Sequence, residues 1–147
     1  QVKRVDPTGK TCLASSDCCS VITENNKNCY RAQCFATARA LAKVLNLKNE
    51  NYTVSFQSRL GRTPWIQPHT DVVYKELIDR GIKTVAILSP SFVADCLETI
   101  EELGIRGREQ FESLGGREFT VIPSLNSSDR WAEVIAQMTR TRSQKLI

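Results

Sequence analysis

No apolar run in the chain approaches the roughly 20 residues that a membrane-spanning helix requires. The opening decapeptide, QVKRVDPTGK, lacks the apolar core of an export signal. It begins on Gln1 rather than Met, which leaves open an upstream portion carrying a signal or a partner domain. There is no glycine-rich phosphate loop, no internal repeat and no low-complexity segment. Aromatic residues make up only 7%, and the basic excess, 20 Lys and Arg against 16 Asp and Glu, is dispersed apart from VKR near the start and TRTRSQK near the end. A nucleic-acid binder would gather such charge into a patch, so no nucleic-acid partner is expected. The tripeptides NYT and NSS match the glycosylation sequon, which carries no weight without an export signal.

What is present fits one soluble globular domain: 147 residues, 41% apolar and 24% charged. The unusual content is cysteine. Cys12, Cys18, Cys19, Cys29 and Cys34 fall within the first 34 residues, and Cys96 stands alone downstream. An even total suits disulfides in a secreted chain. The remainder reads as a cytosolic α/β enzyme, where thiols stay reduced and clustered cysteines more often bind metal. The expected location is therefore cytoplasmic.

Residues 1–28 are polar and turn-rich, without helical or strand period. From Cys29, the stretch CYRAQCFATARALAKVLNL has helical spacing, with Asn28 as candidate cap and either Asn46 or the charged KNEN that follows as terminator. YTVSFQS suits a strand, RLGRTPWIQPHT a long loop, and DVVYKELIDR a helix closed by Gly81. KTVAILS reads as a strand buried on both faces, broken by Pro90, with Ser91 free to cap the next helix. REFTVIPS is a third strand, and SSDRWAEVIAQMTR a last helix capped by Ser127 or Ser128. The alternation predicts an α/β fold with a parallel sheet and helices on both faces. Its ligand crevice would lie outside the carboxyl ends of the strands. The expected organisation is a Cys-rich lead over 1–28, an α/β lobe over 29–141 and a basic tail over 142–147.

Residues 92–103, FVADCLETIEEL, concentrate four carboxylates. At about 100° per residue, Asp95, Glu98 and Glu102 share one stripe, and Phe92, Cys96, Ile100 and Leu103 form an apolar one. A solvated outer face explains that pattern by geometry alone. Acids in a first turn also favour the helix dipole, which accounts for Asp95. Glu98 and Glu102 lie beyond that turn, where a line of carboxylates could conduct a divalent cation or accept protons.

Three stretches, SFQSRLGRTPWIQPHTD, PSFVADCLETIEEL and GGREFTVIPSLNSSDRW, resemble the C-terminal half of bacterial ferrochelatases, in order and at suitable separations over roughly residues 29–141. The resemblance implies a Rossmann-like, chelatase-type fold that forms one half of a two-lobed enzyme. It implies insertion of Fe(II), as substrate, into a porphyrin to form haem. Protoporphyrin IX ranks ahead of coproporphyrin III as that substrate. Glu98 would be the active-site glutamate, with Asp95 and Glu102 extending an acidic path and Glu101 merely solvated.

Gln57, Ser58, Arg59 and Trp65 match the loop lining the porphyrin pocket. An indole plane suits a flat macrocycle and a cation suits a propionate, although Trp65 also reads as a loop anchor packed on the core. The lone histidine, His69, reads as a turn residue, since the family usually has Tyr or Gln there. The family's histidine motif ends in Leu-Pro just upstream of a segment like VKRVDPTG. A missing N-terminal lobe carrying it is therefore expected, with this chain inactive alone. Cys96 stands where some relatives have His and reads as a packed thiol.

Some ferrochelatases carry a [2Fe-2S] cluster, and four of Cys12, Cys18, Cys19, Cys29 and Cys34 could ligate one. Structural zinc and metal-free thiols stay open, because the spacing matches no zinc-finger or ferredoxin pattern. The competing functional reading is a non-catalytic iron–sulfur or zinc-binding module derived from this lobe. A transmembrane segment is not expected; peripheral membrane contact is left open.

Overall fold

The computed structural model describes residues 10–12, 15, 17–57 and 65–143. The chain divides into two compact units, Gln1–Gly81 and Ile82–Ile147. The boundary falls inside the expected lobe, and each unit has its own small core.

In the first unit, helix α1 spans Tyr30–Val44, one residue beyond the expected cap: Cys29 takes the N-cap position without a side-chain cap. Asn46, at φ 54°, ends it as expected. Ala32 and Ala42 are its buried positions. Phe35 meets Phe56 at 6.1 Å between ring centroids, and the Arg31 guanidinium lies 4.6 Å over the Phe35 ring. Helix α2 spans Thr70–Asp79 and buries Val73 and Tyr74. Gly81, at φ 81°, closes the turn after it, a conformation that a residue with a Cβ adopts only at a cost.

The expected strand at 52–58 is, over its described residues 52–57, not a strand of the sheet. Among the described residues it is bridged only at Phe56, in parallel with His69. Phe56 N–H donates to the Pro68 carbonyl (2.9 Å) and Thr70 N–H to the Phe56 carbonyl (3.0 Å). A β-rich sequence without a neighbouring strand completes no ladder.

The second unit holds the parallel pair that the alternation predicts. Strands β1 (Thr84–Leu88) and β2 (Glu118–Ile122) run in register from Thr84 opposite Glu118 to Leu88 opposite Ile122. Their crossover is helical from Glu98 to Ser113: a π-helix, Glu98–Gly107, continues into helix α3, Arg108–Ser113. Helix α4, Asp129–Ser143, follows β2, and the Ser128 carbonyl accepts the N–H groups of Trp131 and Ala132. Phe111 and Phe119 form the core, almost fully buried with ring centroids 5.7 Å apart. Arg108 covers the Phe119 ring.

Strand β1 is not buried on both faces. Val85 and Ile87 are half-buried, while Thr84, Ala86 and Leu88 are exposed, Leu88 by 45%. A short apolar run does not report by itself whether a second layer covers each face.

Candidate functional site

The acidic segment departs from the α-helix that its spacing suggests. Residues 92–96 are irregular, and the π-helix begins at Glu98. A π-helix closes hydrogen bonds between residues five apart, so its turn is wider. Its buried positions, Thr99, Leu103 and Gly107, recur every four residues. A Cβ on Gly104 would stand 3.3 Å from the carbonyl oxygen of Thr99, five residues back, so the wide turn is tight there.

The wider period changes the predicted stripes. Glu98 and Glu102 stay on one side, each half-buried beside the buried row. Asp95 precedes the helix and leaves that line. Ile100, expected inside, is 58% exposed. Glu101 is not simply solvated: Arg106 donates to it from Nε (2.7 Å) and from Nη2 (2.8 Å).

Glu98 is hydrogen-bonded by the thiol of Cys96, which with a nearby backbone N–H holds its carboxyl below the ordinary value. It is therefore ionised at neutral pH, able to accept a proton or to meet a dication. Cys96 is half-buried and hydrogen-bonded, not merely packed as its place on the apolar stripe suggests. Asp95 also lies below its ordinary value, first through the Asn126 amide and then through the Ser124 backbone N–H. Its Oδ1 accepts from the Thr99 hydroxyl (3.0 Å), and Thr99 Oγ1 accepts the Cys96 N–H (3.0 Å). Beside these residues lies an open groove of about 310 Å³, lined by Asp95, Thr99, Gly104, Arg108 and Pro123 among others. Glu98 and Glu102 do not line it.

In the first unit, the half-buried Trp65 donates its indole N–H to the Gln57 carbonyl (3.0 Å). That bond pins together the two ends of the segment that holds Ser58 and Arg59, which lie outside the described residues. His69, expected in a turn, is instead extended: it bridges Phe56 and takes the N-cap position of α2 without a side-chain cap.

The cysteine lead is organised by an amide. Asn26, 1% exposed, accepts the Thr23 N–H (2.7 Å) and donates to the carbonyls of Cys18 (3.0 Å) and Val21 (2.8 Å). All six cysteines are thiols. Cys18 and Cys19 place their Sγ atoms 3.7 Å apart. Among the described residues, no three His, Cys, Asp or Glu side chains are grouped to hold a metal ion. Burial pushes the Cys19 thiol up, against a hydrogen bond from Arg31.

Sequence reasoning passed over Asn26, Thr99 and Asn126. For Asn126 a signal exists: it stands in the turn after a predicted strand, where asparagine tolerates a positive φ, here 49°.

Comparison with known proteins decides the family. The ferrochelatase family model matches residues 17–143. The chain belongs to the ferrochelatase family. It is 53% identical over 117 residues to a ferrochelatase of Legionella pneumophila (strain Corby), covering 80% of this chain and 35% of that relative. A ferrochelatase of Coxiella burnetii (strain Dugway 5J108-111) is 52% identical over 126 residues, covering 86% and 36%. One from Azotobacter vinelandii is 45% identical over 141 residues, covering 95% and 42%. The chain thus spans about two fifths or less of the length of these ferrochelatases. Among the described residues, no helix is long and apolar enough to cross a membrane.

Proposed function

We propose that this chain is the part of a ferrochelatase that supplies the glutamate for inserting Fe(II) into a porphyrin. The reaction exchanges two pyrrole N–H protons for one Fe(II), so the site must accept protons and tolerate a dication at once. The observation that carries the reading is Glu98, a half-buried carboxylate whose pKa the Cys96 thiol holds below the ordinary value, with Glu102 on the same side of the π-helix. Glu98 takes a pyrrole proton and Glu102 offers the next acceptor along the helix. The motif match assigns Gln57, Ser58, Arg59 and Trp65 to the porphyrin-binding loop, an aromatic plane for the macrocycle and a cation for a propionate. Protoporphyrin IX is the proposed substrate, ahead of coproporphyrin III. Turnover on this reading requires the family's histidine from a complementary lobe, and the proposed location is cytoplasmic, with peripheral membrane contact open.

The resemblance also raises a [2Fe-2S] cluster or a structural zinc on four of the five N-terminal cysteines. Among the described residues, the Cys18 and Cys19 Sγ atoms lie 3.7 Å apart but no three His, Cys, Asp or Glu side chains are grouped to hold a metal ion, so the described arrangement does not assemble the four ligands that either group needs. No step of the reaction is routed through them, and the alternative of a non-catalytic metal-binding module gains nothing from the geometry.

The test is anaerobic mixing of Fe(II) and protoporphyrin with the full-length protein that carries this sequence. Loss of the free-porphyrin bands with growth of a haem spectrum supports the proposal. A full-length protein that binds no porphyrin and produces no haem contradicts it.

A further inference from the structure

The loop after β2 reaches back to the head of the π-helix through one asparagine. Asn126 donates its backbone N–H to the Val93 carbonyl (2.9 Å). Its Nδ2 donates to Asp95 Oδ2 (2.7 Å), and its Oδ1 accepts the Asp95 N–H (2.8 Å). Ser124, on the same loop, gives its N–H to Asp95 Oδ1 (3.2 Å). Four hydrogen bonds thus join two segments about 30 residues apart in sequence, as 31 separates Asp95 from Asn126. The left-handed backbone of Asn126, φ 49°, is one that asparagine adopts more readily than most residues. From it, the side-chain amide presents a donor and an acceptor to one neighbour.

Asp95 is tied forward as well, through the Thr99 hydroxyl. Residues 96–98 therefore lie between two fixed points, Asp95 on the β2 loop and Thr99 in the buried row of the π-helix. Glu98 is the acid inside that bracket. Asp95 itself accepts bonds from Asn126, Ser124 and Thr99, which uses most of the roughly four lone-pair sites of a carboxylate.

We propose that Asn126 is a positioning residue for Glu98, and that Asp95 is its partner in this clamp rather than an acid on a metal or proton path. The proposal rests on the reading of Glu98 as the reactive carboxylate. A misplacement of about 1 Å at a reacting group costs on the order of 10²-fold in rate, so a clamp two elements long has a kinetic consequence without touching substrate.

The experiment is steady-state iron insertion by the full-length protein in four variants. Asn126→Ala lowers kcat about 10- to 100-fold, with the porphyrin KM changed by no more than about twofold. Asn126→Asp, which sets two carboxylates face to face, is at least as slow. Exchanging the pair, Asp95→Asn with Asn126→Asp, keeps every hydrogen bond with amide and carboxylate traded, and restores kcat to within about fivefold of wild type. A double exchange as slow as the slower single variant overturns the proposal, because Asp95 then acts through its own charge. So does an unchanged kcat in Asn126→Ala. Glu98→Gln, the fourth variant, separates the two claims. Normal turnover there removes the reading of Glu98, whereas a slow Glu98→Gln beside an unrescued exchange removes the clamp alone.

Discussion

The thiol of Cys96 donates a hydrogen bond to the carboxylate of Glu98, two residues further on, and this bond is the first cause of that acid's lowered pKa. Replacing Cys96 with alanine deletes the donor, so the Glu98 pKa rises toward its ordinary 4.5. More of it is then protonated at any acidic pH. The acid limb of the kcat/KM profile moves to higher pH, which a pH series on the wild type and Cys96→Ala checks. An unmoved limb contradicts the assignment.

Asp95 makes a related prediction for stability. Its folded pKa lies below the ordinary 3.8, so the stabilisation it gives is complete above that value and is lost as pH falls through the folded value. The difference in melting temperature between wild type and Asp95→Ala is therefore flat from neutrality to roughly pH 5 and narrows below it. Calorimetry across that range measures it. A difference that widens on acidification is the wrong sign.

Gly116 has no room for a side chain. A Cβ there would run into the ring edge of Phe111 and approach that residue's carbonyl oxygen to 2.8 Å. Phe111 is 0% exposed and cannot swing outward, so Gly116→Ala costs about 1–3 kcal/mol, as overpacked sites do. Urea unfolding of the full-length protein should show a lowered midpoint with an unchanged slope.

The cysteine lead offers a chemical check. With Asn26 organising the loop and, among the described residues, no three His, Cys, Asp or Glu side chains grouped to hold a metal, the anaerobically purified protein should be colourless and zinc-free, with all six thiols titrating after denaturation. An ultraviolet–visible spectrum with iron, sulfide and zinc analysis on one sample decides this. Two irons and two sulfides per chain, or one zinc, would show that the lead closes around a metal.

The helices and the β1–β2 pair were legible because their signals are local. Alternating apolar runs mark the strands, and Asn46 and Gly81 mark helix ends at positive φ. Motif spacing singled out Glu98 and Glu102, which are half-buried on the π-helix. The same spacing misread Asp95 and Ile100, since it assumed an α-helical turn, and nothing in FVADCLETIEEL announces a π-helix. The turn after a predicted strand marks Asn126 as a place for positive φ, but the roles of Asn126 and Thr99 were out of reach for a different reason. Their meaning lies in bonds across about 30 residues and in burial, and a single sequence encodes neither at one position. The stretch 52–58 has strand composition, but among its described residues only Phe56 finds a bridge partner, which composition alone does not foretell.

The most direct test of the account compares Glu98→Gln with Glu101→Gln in the full-length protein, by kcat for iron insertion. Glu98→Gln keeps the size and removes the proton acceptor, so kcat should fall on the order of 10²-fold or more. Glu101 is engaged at the surface by Arg106 in a solvent-screened pair, and Glu101→Gln should stay within about twofold of wild type. Near-normal turnover in Glu98→Gln, or an equal loss in both, would contradict the assignment of Glu98 as the reactive carboxylate.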